Sequence, residues 1–144
     1  MEFEPIRHGF FPEPKLSITF DGCSFRINDF GCSSVDSVSP GVYVWTVRDG
    51  DKIVPLYFGL YGLRAENPSL RKRFKQHLSG LRSSLHGNAP TKHWKEYMFP
   101  ETIKAIEKHG KIDIYFGMYP EEIIDCLESY LIEAYSSPWN KAKA

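Results

Sequence analysis

Neither sign of charge is in excess in this chain. Its 144 residues carry 18 Lys and Arg against 18 Asp and Glu, so no overall field draws it to a polyanion or to an anionic membrane surface. Cysteine is scarce as well. Cys23, Cys32 and Cys126 are odd in number, which excludes a disulfide framework, and their spacing is not that of a zinc site. His8, His77, His86, His93 and His109 are scattered, and none completes a metal-ligand pattern with a cysteine. No apolar window reaches the length of a membrane span, and the opening Met-Glu-Phe-Glu-Pro lacks a basic stretch followed by an apolar one. The expectation is a cytoplasmic protein with no membrane partner. Repeats and low-complexity tracts are also absent, and a chain of this length forms one domain with a sizeable core.

What charge there is lies unevenly. Between residues 64 and 82, Arg64, Arg71, Lys72, Arg73, Lys75 and Arg82 face Glu66 alone, whereas between 113 and 133 Asp113, Glu121, Glu122, Asp125, Glu128 and Glu133 have no basic companion. A basic helix beside an acidic one is compatible with a phosphate-contacting surface next to a metal-binding one, and equally with two solvated helix faces that balance each other.

Periodicity supplies the elements. Residues 1–14, with Pro5, Pro12 and Pro14, read as an irregular arm. Lys15 to Asp21 alternates as a strand, Gly22 turns the chain, and Phe25 to Asn28 returns as its partner. Gly31 to Pro40 reads as a loop, so residues 1–40 are expected to form an extension ahead of a core domain over 41–144. That core opens with strands Val42–Arg48 and Ile53–Gly59 around Asp49-Gly50-Asp51, a strong hairpin signal. A helix follows from Ser69 as N-cap through Leu70, Phe74, His77, Leu78 and Leu81. Further helices are expected over 93–98 and 101–108, the latter stopped by Gly110. Ile112 to Tyr119 alternates as a half-buried strand. After Pro120 a last helix carries Ile123, Ile124, Leu127, Leu131 and Ala134 as its core stripe. The order β-β-α-α-β-α predicts a small α/β domain whose three-stranded, largely antiparallel sheet is flanked by helices.

Two phenols stand out in this frame. Tyr43 within Gly41-Val42-Tyr43 and Tyr57 within Tyr57-Phe58-Gly59 fall on neighbouring strands of one hairpin. They are followed by the amphipathic run Leu70-Arg71-Lys72-Arg73-Phe74-Lys75-Gln76-His77, by Glu128, and by Asn140. In this order, over roughly residues 41 to 140, the elements resemble the GIY-YIG endonuclease family, whose minimal domain has two tyrosine motifs, a helical arginine, a metal-binding glutamate and a late asparagine. The resemblance implies that fold, and hydrolysis of DNA phosphodiester bonds with Mg²⁺ or Mn²⁺, one strand per active site.

Cutting a phosphodiester needs a deprotonated water, a cation to neutralise charge on phosphorus, and stabilisation of the departing oxygen. By resemblance Tyr43 is the general base or water-orienting phenol, and a phenol of pKa about 10 needs help from a nearby cation. Tyr57 would hydrogen-bond the phosphate or the water. Arg73 would stabilise the transition state with His77 one turn on, since residues four apart on a helix face the same space. His77 also reads as a satisfied structural histidine. Thirteen residues, Leu60 to Lys72, separate Gly59 from Arg73; that is longer than the family usually has, and it leaves Arg64 as a rival arginine. Arg64, Arg71, Lys72 and Lys75 are expected to grip backbone phosphates without sequence choice. Tyr61, bulky after the second motif, would narrow the cleft or stack on a base, and Trp94 and Tyr97 are further aromatics available to stack.

Glu128 is set among Ile124, Leu127 and Leu131, where a carboxylate is costly unless paired or bound to a cation. That position supports the metal role implied by the resemblance, and one carboxylate can suffice for Mg²⁺, which keeps several waters. Glu133 competes but fits an exposed face better. Gly59 and Asn140 would support the site, Asn140 by hydrogen bonding. No appended DNA-reading domain is visible, so sequence choice would come from the arm, the long loop or a partner, and a double-strand cut would need a homodimer or a second binding event. The competing expectation is a nucleic-acid-binding or protein-interaction module that keeps the fold without turnover.

Overall fold

The computed structural model describes residues 2–29, 40–62, 69–85 and 98–141. After a 3-10 turn at Pro5–His8 come strands β1 (Leu16–Phe20), β2 (Phe25–Asp29), β3 (Gly41–Asp49) and β4 (Lys52–Tyr61). Helices α1 (Leu70–Leu85) and α2 (Met98–His109), strand β5 (Ile112–Met118), and helices α3 (Glu121–Tyr135) and α4 (Pro138–Lys141) complete the order.

The turn chemistry explains where these elements begin and end. β3 and β4 pair from Asp49↔Lys52 to Gly41↔Tyr61. Gly50 takes φ 64° as the first central residue of their turn, a conformation that suits glycine and matches the twist of a hairpin. Asp21 folds the first hairpin by accepting the backbone N–H of Cys23 and of Ser24, both at 2.8 Å. Ser69 caps α1, its hydroxyl accepting the Lys72 N–H at 3.2 Å. Gly110, at φ 90°, ends α2 by donating its N–H to Ile106.

One sheet takes all the strands, in the order β2-β1-β5-β3-β4, every pair antiparallel. The expected three-stranded sheet is therefore corrected to five. The physical reason is the free edge of β5. The N-terminal chain runs along it, with the N–H groups of Phe11 and Lys15 bonded to Phe116 and Ile114 and then Leu16 to Ile18 paired with Ile114 to Ile112. This covers an edge that would otherwise template pairing with another chain. It also buries Leu16, Ile18 and Phe25 in the common core. Residues 1–40, read as an extension, thus supply two strands of the sheet.

The sheet buries both faces. One face packs Leu16, Ile18, Trp45, Ile112, Ile114 and Phe116 against Leu70, Phe74 and Leu81 of α1 and Ile106 of α2. The other packs Val42, Val44, Phe58 and Tyr115 against Ile124 and Leu131 of α3, closed by Phe3 and Phe10 of the N-terminal arm. The last helix departs from its expected stripe at one place: Ile123 is 46 % exposed, while Ile124 and Leu131 are buried with Leu127, Ile132 and Tyr135 packed beside them. α2 begins at Met98, three residues earlier than Glu101, and carries Pro100 in its first turn, where no helical N–H is lost. Of the loop expected at 31–40 and the helix expected at 93–98, residues 31–39 and 93–97 lie outside the described residues, and Met98 belongs to α2. Among the described residues no helix is long and apolar enough to cross a membrane.

Candidate functional site

Register brings the two motifs together. Tyr43 stands opposite Gly59, and Trp45 opposite Tyr57, so the Tyr43 and Tyr57 rings lie diagonally on one face with centroids 6.4 Å apart. Between Trp45 and Thr46 the pairing shifts by one residue, leaving Leu56 as an extra residue of β4. The bulge turns both Leu56 and Tyr57 toward the α1 side of the sheet.

Each motif glycine has a steric reason. A Cβ at Gly59 would come within 2.8 Å of Tyr43 Cε1, and one at Gly41 would collide with the Tyr61 ring and the Gly117 carbonyl. Tyr43 therefore lies over Gly59, and Tyr61 lies over Gly41. That arrangement corrects the reading of Tyr61 as a base-stacking residue: it is fully buried, packed edge-on against Phe116, and its hydroxyl reaches the Gly117 carbonyl at 3.4 Å. Trp94 and Tyr97 lie outside the described residues.

Helix α1 lays Arg73 and His77 over these phenols. Tyr43 Oη is 2.9 Å from His77 Nε2 and accepts from Arg73 Nε at 3.3 Å. Tyr57 adds a further side-chain hydrogen bond to Arg73, and Gln76 accepts from Arg73 Nη1 at 3.0 Å. His77 is ringed by Tyr43, Trp45, Tyr57 and Phe74 and is 4 % exposed. The phenol, the guanidinium and the imidazole form one hydrogen-bonded unit.

Electrostatics follow from this packing. Burial pushes the Tyr43 phenol above its ordinary value; Arg73 opposes the shift by charge and hydrogen bond, and the Glu128 carboxylate reinforces it. Burial works against the charge on Arg73, but Tyr43 and Tyr57 outweigh it and hold the guanidinium above its usual range. Glu128 is thus near enough for its charge to act on Tyr43, although it comes from the helix on the opposite face. It is half-buried beside Ile124 and Leu131, while Glu133 is exposed.

Asn140 does structural work on the motif. β4 is the last strand of the sheet, so the outward N–H and C=O of Phe58 have no neighbouring strand. Asn140 Oδ1 accepts the Phe58 N–H at 2.8 Å, and its Nδ2 donates to the Phe58 carbonyl at 3.0 Å, while Ser137 Oγ fixes the amide at 2.6 Å. One side chain thereby imitates a strand between Tyr57 and Gly59.

The remaining basic residues divide. Lys72 and Lys75 are exposed on α1 and Arg71 is half-buried, and Arg71 and Lys75 lie beside Leu16, Ile27 and Leu78. Arg64 lies outside the described residues. Sequence reasoning missed Gln76, which stands three residues after Arg73 and so one turn away, and it missed α4 with Ser137. The Ser137-Pro138 pair, a cap followed by proline at the first helical position, was the available signal for that helix. Among the described residues no three His, Cys, Asp or Glu side chains gather to hold a metal. Glu128 would offer one carboxylate, a hard oxygen donor of the kind Mg²⁺ or Mn²⁺ takes and a thiolate-preferring ion does not. No protein-family model, no curated protein and no solved structure matches this chain, so the resemblance rests on the sequence motifs alone.

Proposed function

We propose that this chain is a GIY-YIG-type, divalent-metal-dependent endonuclease that hydrolyses DNA phosphodiester bonds, one strand per site. The observation that carries the reading is the Tyr43 phenol set between Arg73 Nε and His77 Nε2. Arg73 keeps its charge at any working pH, and Tyr43, Tyr57 and Gln76 orient it, so it meets the negative charge that builds on phosphate oxygens without reorganising. With His77 neutral and its Nε2 accepting, the Tyr43 proton has a path to the imidazole, and the oxygen charge so formed faces Arg73. That pairing opposes the burial, which still holds the resting phenol above its ordinary value. Tyr57, turned in by the bulge, holds the phosphate or the attacking water. A divalent ion, when held by Glu128, supplies charge neutralisation at the phosphate. Arg71, Lys72 and Lys75 supply sequence-independent grip, and a double-strand cut requires a second copy or a second encounter.

One observation favours a different reading. Tyr43 has no exposed surface, as suits a phenol whose hydrogen bonds serve the core of a nucleic-acid-binding or protein-interaction module. The experiment that separates the two is cleavage of supercoiled plasmid and labelled oligonucleotides with Mg²⁺, Mn²⁺ or chelator, by wild type, Arg73→Ala and Glu128→Ala. Metal-dependent nicking lost in both variants is expected. DNA binding without cleavage of any substrate would assign the module instead.

A further inference from the structure

Beside the tyrosine cluster, on the same face of the sheet, a groove of about 500 Å³ opens between α2, the β3–β4 hairpin and α4. Nothing in the reaction described above uses it, and its size lies within the roughly 300–1,000 Å³ of ligand clefts. The floor is apolar, made by Val47, Leu56, Ala105 and Trp139. The rim is charged. Lys104 and Lys108, four residues apart, project on one side with Glu101, which lies 3.7 Å from Lys104. His109 is fixed on the wall by a 3.0 Å hydrogen bond between its Nδ1 and the Arg48 carbonyl.

The groove adjoins the site by three routes. Leu56 is the extra residue of the bulge, immediately before Tyr57. Trp139 packs edge-on against Trp45 at 5.9 Å, and Trp45 packs against His77 at 5.0 Å. Asn140, next to Trp139, holds Phe58 in the strand. A polyanion reaching Arg73 has a favourable way onward over Lys104 and Lys108, whereas α3 on the opposite face presents Glu121, Glu122, Asp125 and Glu133.

We propose that this groove seats one unpaired nucleotide of the strand being cut, its base against Trp139, Leu56 and Val47 and its phosphate at Lys104 and Lys108. An apolar floor suits the face of a base, the two lysines suit a phosphate, and Glu101 can accept from an exocyclic amine. A paired base cannot enter a concavity without leaving its stack, so the favoured substrate is single-stranded next to the cut, as in a flap, a gap or a frayed end. This rests on the nuclease reading for its meaning but not for its test.

The test is fluorescence anisotropy in chelator, with the full chain and two labelled single strands of equal length. One carries its bases and the other has abasic residues on the same number of phosphates. Wild type is expected to bind the base-bearing strand about tenfold more tightly. Ala105→Trp, which fills the groove and leaves every charge, should bring that ratio to one. Lys104→Glu/Lys108→Glu, altering only exposed side chains, should weaken the base-bearing strand by about tenfold. Arg73→Ala should keep the ratio. A ratio near one in wild type, or binding unmoved by both groove variants, overturns the proposal. So does protection of Lys104 and Lys108 from acetylation by an acidic leucine-containing peptide but not by the single strand, which would give the groove to a protein. A persistent ratio in a chain that cleaves nothing supports the groove and sinks the nuclease; cleavage with a ratio of one does the reverse.

Discussion

On the side of the sheet covered by α1 and α2, the core is interrupted by hydrogen-bonding groups. Tyr43, Tyr57 and His77 are buried there with Arg73 folded over them, and the surrounding helix carries Arg71, Lys72 and Lys75. On the side covered by α3, Val42, Val44, Phe58, Ile124 and Leu131 pack apolar against apolar, the hydrogen bonds of His8, Tyr119 and Tyr135 lie with the arm that closes this side, and the helix surface is acidic. The same hairpin builds both, because alternate residues of β3 point to opposite sides. The difference follows strand parity: the α3 side is chiefly apolar, and the α1 side spends some of its burial on groups that must stay polar, so that on the proposed nuclease reading stability and chemistry are separable. The largest expected effect breaks that division at its most polar point. Arg73→Ala removes the cation over both phenols, and nicking should fall by at least about a hundredfold, while far-ultraviolet circular dichroism stays unchanged. An equal loss of ellipticity would place Arg73 with the structural residues.

A matched pair of substitutions sharpens the contrast. Gly59→Ala drives a methyl into the Tyr43 ring, which cannot retreat from beneath Phe74 and His77. The expected cost is about 3 kcal/mol of stability, with activity lost per folded molecule. Leu131→Ala on the α3 side opens a cavity of comparable cost, about 2–4 kcal/mol, yet activity per folded molecule should be retained. Denaturant titration read beside a cleavage assay separates the two, and equal activity losses would end the distinction between the faces. Asn140→Ala should fall between them. It unties Phe58 and costs about 2 kcal/mol for the two hydrogen bonds lost, and the loosened Tyr57 should lower cleavage severalfold. Unchanged cleavage would make the clip purely structural.

How much of this was legible depends on whether the signal was local. The β3–β4 hairpin was readable because Asp49-Gly50 fixes its turn and alternation fixes its faces, and α1 because Ser69 and the Leu70, Phe74, His77, Leu81 spacing agree. The shared helix face of Arg73 and His77 was legible in α1, but their convergence with Tyr43 was implied only by the family resemblance, since no local signal says which face of the sheet α1 covers. The five-strand sheet was not readable. Leu16 to Ile18 announces a strand but not its partner, and pairing with Ile112 to Ile114 spans nearly a hundred residues with no local mark. Tyr61 was misread for the same reason: that a phenol lies over Gly41 depends on a cross-strand register, which the sequence of either strand leaves open. The Leu56 bulge likewise exists only in the pairing of two strands.

The smallest effect tests the arm that closes the α3 side. His8 bonds the Tyr135 hydroxyl through Nε2, its carbonyl accepts from Tyr119, and its ring stacks on Phe3. Burial lowers the His8 pKa below 6.5, Arg7 lowers it further, and Glu4 opposes them. The folded chain thus prefers the neutral ring, so the unfolded chain binds more protons below about pH 6.5. The His8 contribution to stability is whole above that value and is lost as pH falls through the depressed folded value. Because the ring is only partly buried, the melting temperature should drop by only a little more between pH 7.5 and 5.0 in wild type than in His8→Gln. Cleavage rates compared at one pH should be the same in the two proteins, since the arm lies across the sheet from Tyr43. A His8→Gln chain that nicks more slowly at pH 7.5 with an unchanged melting temperature would show that the two faces communicate, and the separation by strand parity would fail.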